Sequence, residues 1–365
     1  MATSNTMEVH ACAKKCADGP VTHNQAIVDG IKNKELPERR YKRGYDTSHL
    51  PEPVRAELKK AEESNPVASM TEAGLTLASI PLVAIAAVYA MGLVGASLPN
   101  PAATAAGVAF VYVLAATGIA RQMRGLELMV HDASHLAWMR SKPWLNNMLA
   151  NILVAVPVLS TVEAYWKSHR IHHGSFGSHL DPCRQRFADM GLEHLDLSTR
   201  WKIVKAVVAW LPEYNAAYYR EIGSQSGRQW AYFAAWHISF MIAPGALLIA
   251  LVGSTSAVDA IALATLAWVG FWMLPATTVL PVIRSIAESE EHDYAAGETE
   301  FDTTYTNDGW AHRLLIHPKN DAYHLVHHMF PNIPERRHRR VHKLLMKHDK
   351  RYQASLQRER VLGRA

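Results

Sequence analysis

Residues 73–120 read AGLTLASIPLVAIAAVYAMGLVGASLPNPAATAAGVAFVYVLAATGIA, without one Asp, Glu, Lys or Arg. A bilayer crossing takes about 20 apolar residues, so the run holds two, roughly residues 73–97 and 103–124. Leu98-Pro99-Asn100-Pro101 between them is a turn signal. The segment therefore predicts a helical hairpin in a membrane.

Outward from this hairpin the same pattern recurs. Residues 229–283 carry a single formal charge, Asp259, beside Gly253, Ser254, Thr255 and Ser256, which predicts a second pair of crossings. All 38 Lys and Arg lie in residues 1–72, 121–228 and 284–365, and none lies in either short loop. By the positive-inside rule those three segments, and both termini, are expected to be cytoplasmic. Residues 143–162 also lack charge, but Asn146, Asn147, Asn151 and Pro157 make a poor crossing, and the segment reads as interfacial or re-entrant. The mean hydropathy near zero reflects the length of polar sequence outside the crossings.

The expected fold is all-α and integral to the membrane. It has four transmembrane helices in two hairpins, with a cytoplasmic helical cap that carries the histidines described next. Residues 1–72 read as a polar extension, 73–345 as the membrane domain and 346–365 as a basic tail. The polar N-terminal stretch has no apolar core of a signal peptide. Three cysteines, Cys12, Cys16 and Cys183, are too few for a disulfide framework and suit a reducing compartment. His10, Cys12, Cys16 and His23 lack the regular spacing of a zinc module.

Eight of the 20 histidines fall into three boxes, His131-Asp-Ala-Ser-His135, His169-Arg-Ile-His172-His173 and His324-Leu-Val-His327-His328. On a helix, positions i, i+3 and i+4 share a face, so each box offers imidazoles to one place. In the four-crossing topology all three boxes lie on one side of the membrane. Eight imidazoles are twice the complement of a zinc ion, which implies two metals. Imidazole alone does not name the metal, but iron can cycle redox states and activate dioxygen whereas zinc cannot. His10, His49, His194, His237, His338, His342 and His348 are expected to be solvated or interfacial.

These boxes, in this order, resemble the membrane fatty acid desaturase superfamily, which includes desaturases, lipid hydroxylases and carotenoid ketolases. The resemblance extends to His179-Leu-Asp181-Pro182, to Arg284-Ser-Ile-Ala-Glu288 and to His328-Met-Phe-Pro331-Asn-Ile-Pro334. It implies a non-haem di-iron centre held by His131, His135, His169, His172, His173, His324, His327 and His328, with dioxygen as co-substrate. Family members often carry a further ligand histidine directly after the acid that matches Glu288. Here that position is Ser289, and either His292 takes the role through a local bulge or the site has one histidine fewer.

Ligating imidazoles usually donate their second N–H to a carboxylate or carbonyl, which makes Asp132, Asp181, Glu288 and Asp321 candidates to hold them. Asn320 and Tyr323 flank the third box. The resemblance implies oxidation of an aliphatic, acyl-type substrate by desaturation, with hydroxylation or ketolation of a lipid, terpenoid or smaller specialised metabolite as the alternative. The sequence shows no GxGxxG and no iron–sulfur cysteine pattern, so an external electron donor such as a ferredoxin or a cytochrome is expected. Arg336, Arg337, Arg339, Arg340, Lys343 and Lys347 could dock such a donor or lie on anionic lipid. No nucleic-acid partner is expected. A zinc hydrolase would use fewer histidines, and a metal transporter would place its ligands within the crossings.

Overall fold

The computed structural model describes residues 36–191, 199–223, 225–253 and 255–362, which are helical throughout their regular structure. Helix α1 (Glu52–Ala61) opens at Pro51 and carries Glu52 in its first turn and Lys59 and Lys60 in its last, signs that complement the helix dipole. Two long helices follow, α2 (Pro66–Ser97) and α3 (Pro101–Ser134). Asn65 caps α2 by accepting from the Ala68 N–H, and Asn100 caps α3 by accepting from Ala102 and Ala103. Pro66 and Pro101 occupy the first helical positions, where a missing N–H costs nothing.

These helices are longer than the charge-free run predicts, because α3 continues past its apolar part through Arg121, Arg124 and Glu127 to the first histidine box. Buried charge is tolerated there by pairing, with Arg124 against Glu127 and Asp321.

The segment read as interfacial or re-entrant forms α4 (Pro143–Ala150), which runs on through a π turn, Asn151–Ala155, and a 3-10 turn, Val156–Val158. After Leu159, at φ 60°, the chain enters α5 (Val162–Gly174) at an angle of 88°. The asparagines build this bend. Asn151 accepts from the Val162 N–H and donates to Glu163, and Asn146 donates to the Ala133 carbonyl at the end of α3.

Next come α6 (Pro182–Met190), α7 (Arg200–Gly223), α8 (Gly227–Gly253) and α9 (Ala257–Ser289). Each of α8 and α9 contains one π turn, Ile238–Ile242 and Val269–Met273. Two short helices, α10 (His324–Met329) and α11 (His338–His348), complete the regular structure used here.

Helices α2, α3, α8 and α9 are long and apolar enough to cross a bilayer. Their large side chains point outward, among them Leu75, Phe110 and Leu251, a surface that suits lipid rather than water. Ile80, Ile119, Met123, Val154, Trp272 and Leu280 form the core between α2, α3, the α4 extension and α9. A second core joins Tyr45, Leu50 and Leu58 to Leu325, Val326, Val341 and Tyr352. The boundaries at 72 and 345 thus mark changes of composition, with packing running across both.

Lys319 ties the two cores together. Its backbone is left-handed, at φ 61°, and its ammonium donates to Thr76 Oγ1 at 2.7 Å and pairs with Glu72 at 3.2 Å. Gly125 makes room, since a Cβ there would meet the Lys319 stem at 3.3 Å.

Candidate metal centre

The first box sits on the final turn of α3, where His131 and His135 are four residues apart. The second closes α5, and the third makes up most of α10. His292 arrives differently. Helix α9 stops at Ser289, Glu290 caps it, and His292 pairs with Thr304 in an isolated antiparallel bridge. The expected local bulge is therefore a helix end.

The nine imidazoles separate into two sets. His131, His135, His169, His173 and His327 bring five ring nitrogens within 4.8 Å of one another, and His172, His292, His324 and His328 bring four. The spacing rule predicts that each box points to one place, and only part of it holds. Residues at i and i+4, such as His169 and His173 or His324 and His328, do share a set. The residue between them, His172 or His327, turns to the other set.

The nitrogens are too crowded to be explained by hydrogen bonds among themselves. His173 Nε2 is 3.0 Å from His169 Nε2 and 2.9 Å from His327 Nε2, which itself lies 2.9 Å from His131 Nε2. In a neutral imidazole each ring nitrogen carries either one hydrogen or one lone pair, so a nitrogen placed between two others can satisfy only one of them. In the second set, His172 and His324 each lie within 3.3 Å of His328, and His324 lies 3.3 Å from His292.

Burial, reinforced by neighbouring imidazoles, holds His169, His173, His292, His327 and His328 well below the usual histidine range. His135 falls to about 4 and His324 to about 3, again mainly through burial. Neutral imidazoles are the form that binds metals. His172 is the exception. Burial lowers it, but the Asp181 carboxylate outweighs burial and raises it. Asp181 Oδ1 lies 2.9 Å from His172 Nδ1, so the Nδ1 proton is held there and Nε2, which faces the set, is the nitrogen that would give up its proton to a metal. This donor geometry fits two metal ions.

The sequence pattern of the fatty acid desaturase family matches residues 102–359, a stretch that contains all three boxes and His292. The chain belongs to the fatty acid desaturase family. The chain is also similar to the dihydrorhizobitoxine desaturase of Bradyrhizobium elkanii, at 24% identity over 233 residues, which cover 62% of this chain and 65% of the relative. With its four long apolar helices, it is a membrane protein.

Of the four carboxylates expected to hold the box imidazoles, Asp181 alone does so. Asp132 accepts from the Glu335 N–H at 2.9 Å. Glu288 binds Arg186 at 2.6 Å and accepts from the Tyr214 hydroxyl at 2.9 Å. Asp321 takes Nδ1 of His317 at 2.9 Å, which lies outside the boxes. Asn320 donates to the Glu335 carbonyl, and Tyr323 donates to Asp308, so neither faces the sets. Glu291 lies 3.8 Å from His324 and Glu300 3.7 Å from His328. Burial beside Asp321 pushes the Glu291 carboxyl up to about 8.

Sequence reading missed two features. One is a buried array in which Glu290 faces His312 at 3.2 Å and His317 at 3.4 Å. Burial opposes charge on Glu290, but the two imidazoles hold it down to about 2. Burial also opposes charge on His317, and Asp321 and Glu290 together raise it to about 9. The other is a cavity of about 240 Å³ against His131, His169, His172 and His324, lined also by Arg124, Glu127, Arg186, Arg284 and Glu288. Its one signal in the sequence is Arg124 and Glu127, a charged pair one turn apart at the end of an apolar helix.

Three histidines expected to be solvated or interfacial are buried instead, each with a partner. His338 Nε2 is 2.9 Å from the Ile333 carbonyl, and His342 Nδ1 is 3.1 Å from the Tyr352 hydroxyl. His237 accepts from Trp268 Nε1 at 3.3 Å. His10, His23, His194, Cys12 and Cys16 lie outside the described residues. The basic stretch near the C-terminus divides. Arg337 donates to the carbonyls of Lys60, Ala61 and Glu63 at the end of α1, Arg336 donates to Ser69, and Arg340 pairs with Glu57. Arg339, Lys343 and Lys347 stay exposed.

Proposed function

We propose that this protein is a dioxygen-dependent di-iron oxidoreductase that removes hydrogen from an aliphatic C–H at the membrane. The observation that carries this reading is the pair of imidazole sets, five nitrogens and four, side by side in the protein interior. His131, His135, His169, His173 and His327 would hold one ion, and His172, His292, His324 and His328 the other. When bound, the two irons supply the redox cycling that dioxygen reduction needs.

The chain's own residues do the positioning. Asp181 orients His172, Thr304 lies 3.2 Å from His292 Nδ1, and the bend between α4 and α5 directs the second box toward the first. Loss of two hydrogens from adjacent carbons, together with two electrons and two protons from outside, balances the reduction of one dioxygen to two waters. A separate ferredoxin or cytochrome would bring the electrons. Histidine boxes and both termini on the cytoplasmic side agree with the distribution of Lys and Arg. Desaturation is preferred over hydroxylation because the relative from Bradyrhizobium elkanii is named a desaturase.

Anaerobic reconstitution with Fe(II) followed by metal analysis and product mass spectrometry tests this. About two irons per chain and a product lighter by about 2 Da are expected, whereas a gain of about 16 Da would mean hydroxylation. One zinc per chain with full activity would overturn the di-iron reading.

A further inference from the structure

Apart from the two imidazole sets, three more donors converge in the protein interior. Glu290 Oε2 lies 3.2 Å from His312 Nδ1 and 3.4 Å from His317 Nε2, and the three atoms sit within 4.8 Å of one another. None of the three residues exceeds 1% exposure.

Hydrogen bonds do not account for this arrangement. Oε2, His312 Nδ1 and His317 Nε2 are each buried with no hydrogen bond of acceptable geometry. Asn307, which donates to the Glu290 carbonyl at 3.0 Å, leaves its own Oδ1 in the same condition. Buried polar atoms without partners are uncommon in folded proteins, and several in one place call for an occupant. The spacing suits a metal, because a tetrahedral zinc ion with bonds of about 2.0–2.1 Å holds its ligands about 3.3–3.4 Å apart.

The surroundings prepare the donors. Asp321 lies 2.9 Å from His317 Nδ1, the carboxylate–imidazole pairing that turns the other ring nitrogen toward a metal. The Leu362 N–H donates to Glu290 Oε1, so Oε2 is the oxygen left to bind. Arg358 donates to the Glu290 carbonyl at 3.3 Å, and the backbone of Leu356 and Arg358 bonds to Thr306 on either side, so the C-terminal segment lies against the array. None of the three donors lines the cavity beside the imidazole sets, which separates them from the oxidative chemistry.

We infer that Glu290, His312 and His317 form a third metal site, distinct from the two imidazole sets, and that its ion is zinc. Two imidazoles and one carboxylate are a zinc donor set, with the fourth position left to a buried water. The role of the ion is structural. Glu290 caps α9 two residues before His292, and Pro318–Tyr323 joins His317 to His324 at the start of α10. One zinc ion thus fixes the roots of two ligands of the four-nitrogen set, whichever metal that set holds.

Zinc counting tests the site. Full-length protein in lipid nanodiscs is stripped with a chelator, saturated with Zn²⁺, freed of loose metal and analysed beside Glu290→Gln and His312→Gln. Zinc also enters imidazole sites, so the reading is a difference, and wild type should hold about one zinc ion per chain more than either variant. Equal counts in all three proteins overturn the proposal. Failure of the di-iron reading would change the number that the variants retain and leave the difference of one in place.

The second measurement marks the site with sulfur. In His312→Cys the thiolate is itself a zinc ligand, and its longer bond makes up for the shorter side chain. X-ray absorption at the zinc edge should show a sulfur neighbour at about 2.3 Å that wild type lacks, with the wild-type zinc count restored. Zinc surrounded by nitrogen and oxygen alone in His312→Cys overturns the third site.

Discussion

His172 and His173 are neighbours in the chain, with ring centroids 5.5 Å apart, yet their Nε2 atoms face different nitrogen sets. Successive helical residues are turned about 100° from one another, so adjacent imidazoles cannot converge on one point from a regular helix. The HxxHH spacing thus distributes ligands over two centres.

Alanine at either position is expected to remove turnover and to lower iron from about two per chain toward one, because each deletes a ligand from a different set. Metal analysis of both purified variants checks this. Full iron content with a normal rate in either would remove that residue from the ligand list.

Asp181 holds the His172 imidazole and also caps α6, accepting from the N–H groups of Cys183 and Arg184. Asn is as good a cap as Asp but carries no charge. Asp181→Asn should therefore keep the fold while weakening metal binding about 10- to 100-fold, whereas Asp181→Ala should also cost about 1 kcal/mol of stability through the lost cap. Iron titration beside thermal unfolding separates the two effects. Unchanged iron affinity in the Asn variant would assign Asp181 to structure alone.

His292 stands in the four-nitrogen set, three residues beyond the end of α9. His292→Ala is expected to lower iron content and abolish turnover to the extent that His328→Ala does. Retained iron with a normal rate would show that three imidazoles suffice for the second ion.

The two turns between long apolar helices offer exposed sites at Ser97 and Ser256. Cysteine placed at either should react with a membrane-impermeant maleimide from the outer side only, since no Lys or Arg lies in those turns. Labelling of either solely from the cytoplasm would refute the proposed orientation.

The four long helices and the three boxes could be read in the sequence because each is a local pattern, a charge-free run or an i, i+4 spacing. His292 could be suspected from the family resemblance, but nothing near it reports that a bridge to Thr304 will swing it inward. The charged chamber was not legible. Arg124, Arg186 and Arg284 sit on elements far apart in the chain, and each taken alone resembles the basic flank of a crossing. The partners of Asp132, Glu288 and Asp321 were hidden for the same reason, because a carboxylate beside a histidine in sequence need not face it after folding.

The unequal donor counts have a spectroscopic meaning. Five imidazoles would hold one ion and four the other. On the di-iron reading the two ferrous ions are therefore chemically distinct, and Mössbauer spectra of reduced protein should resolve two quadrupole doublets of equal area. Nitric oxide, offered as a small exogenous ligand, should perturb first the doublet that His324→Ala removes, because the four-imidazole set would give that ion fewer protein ligands.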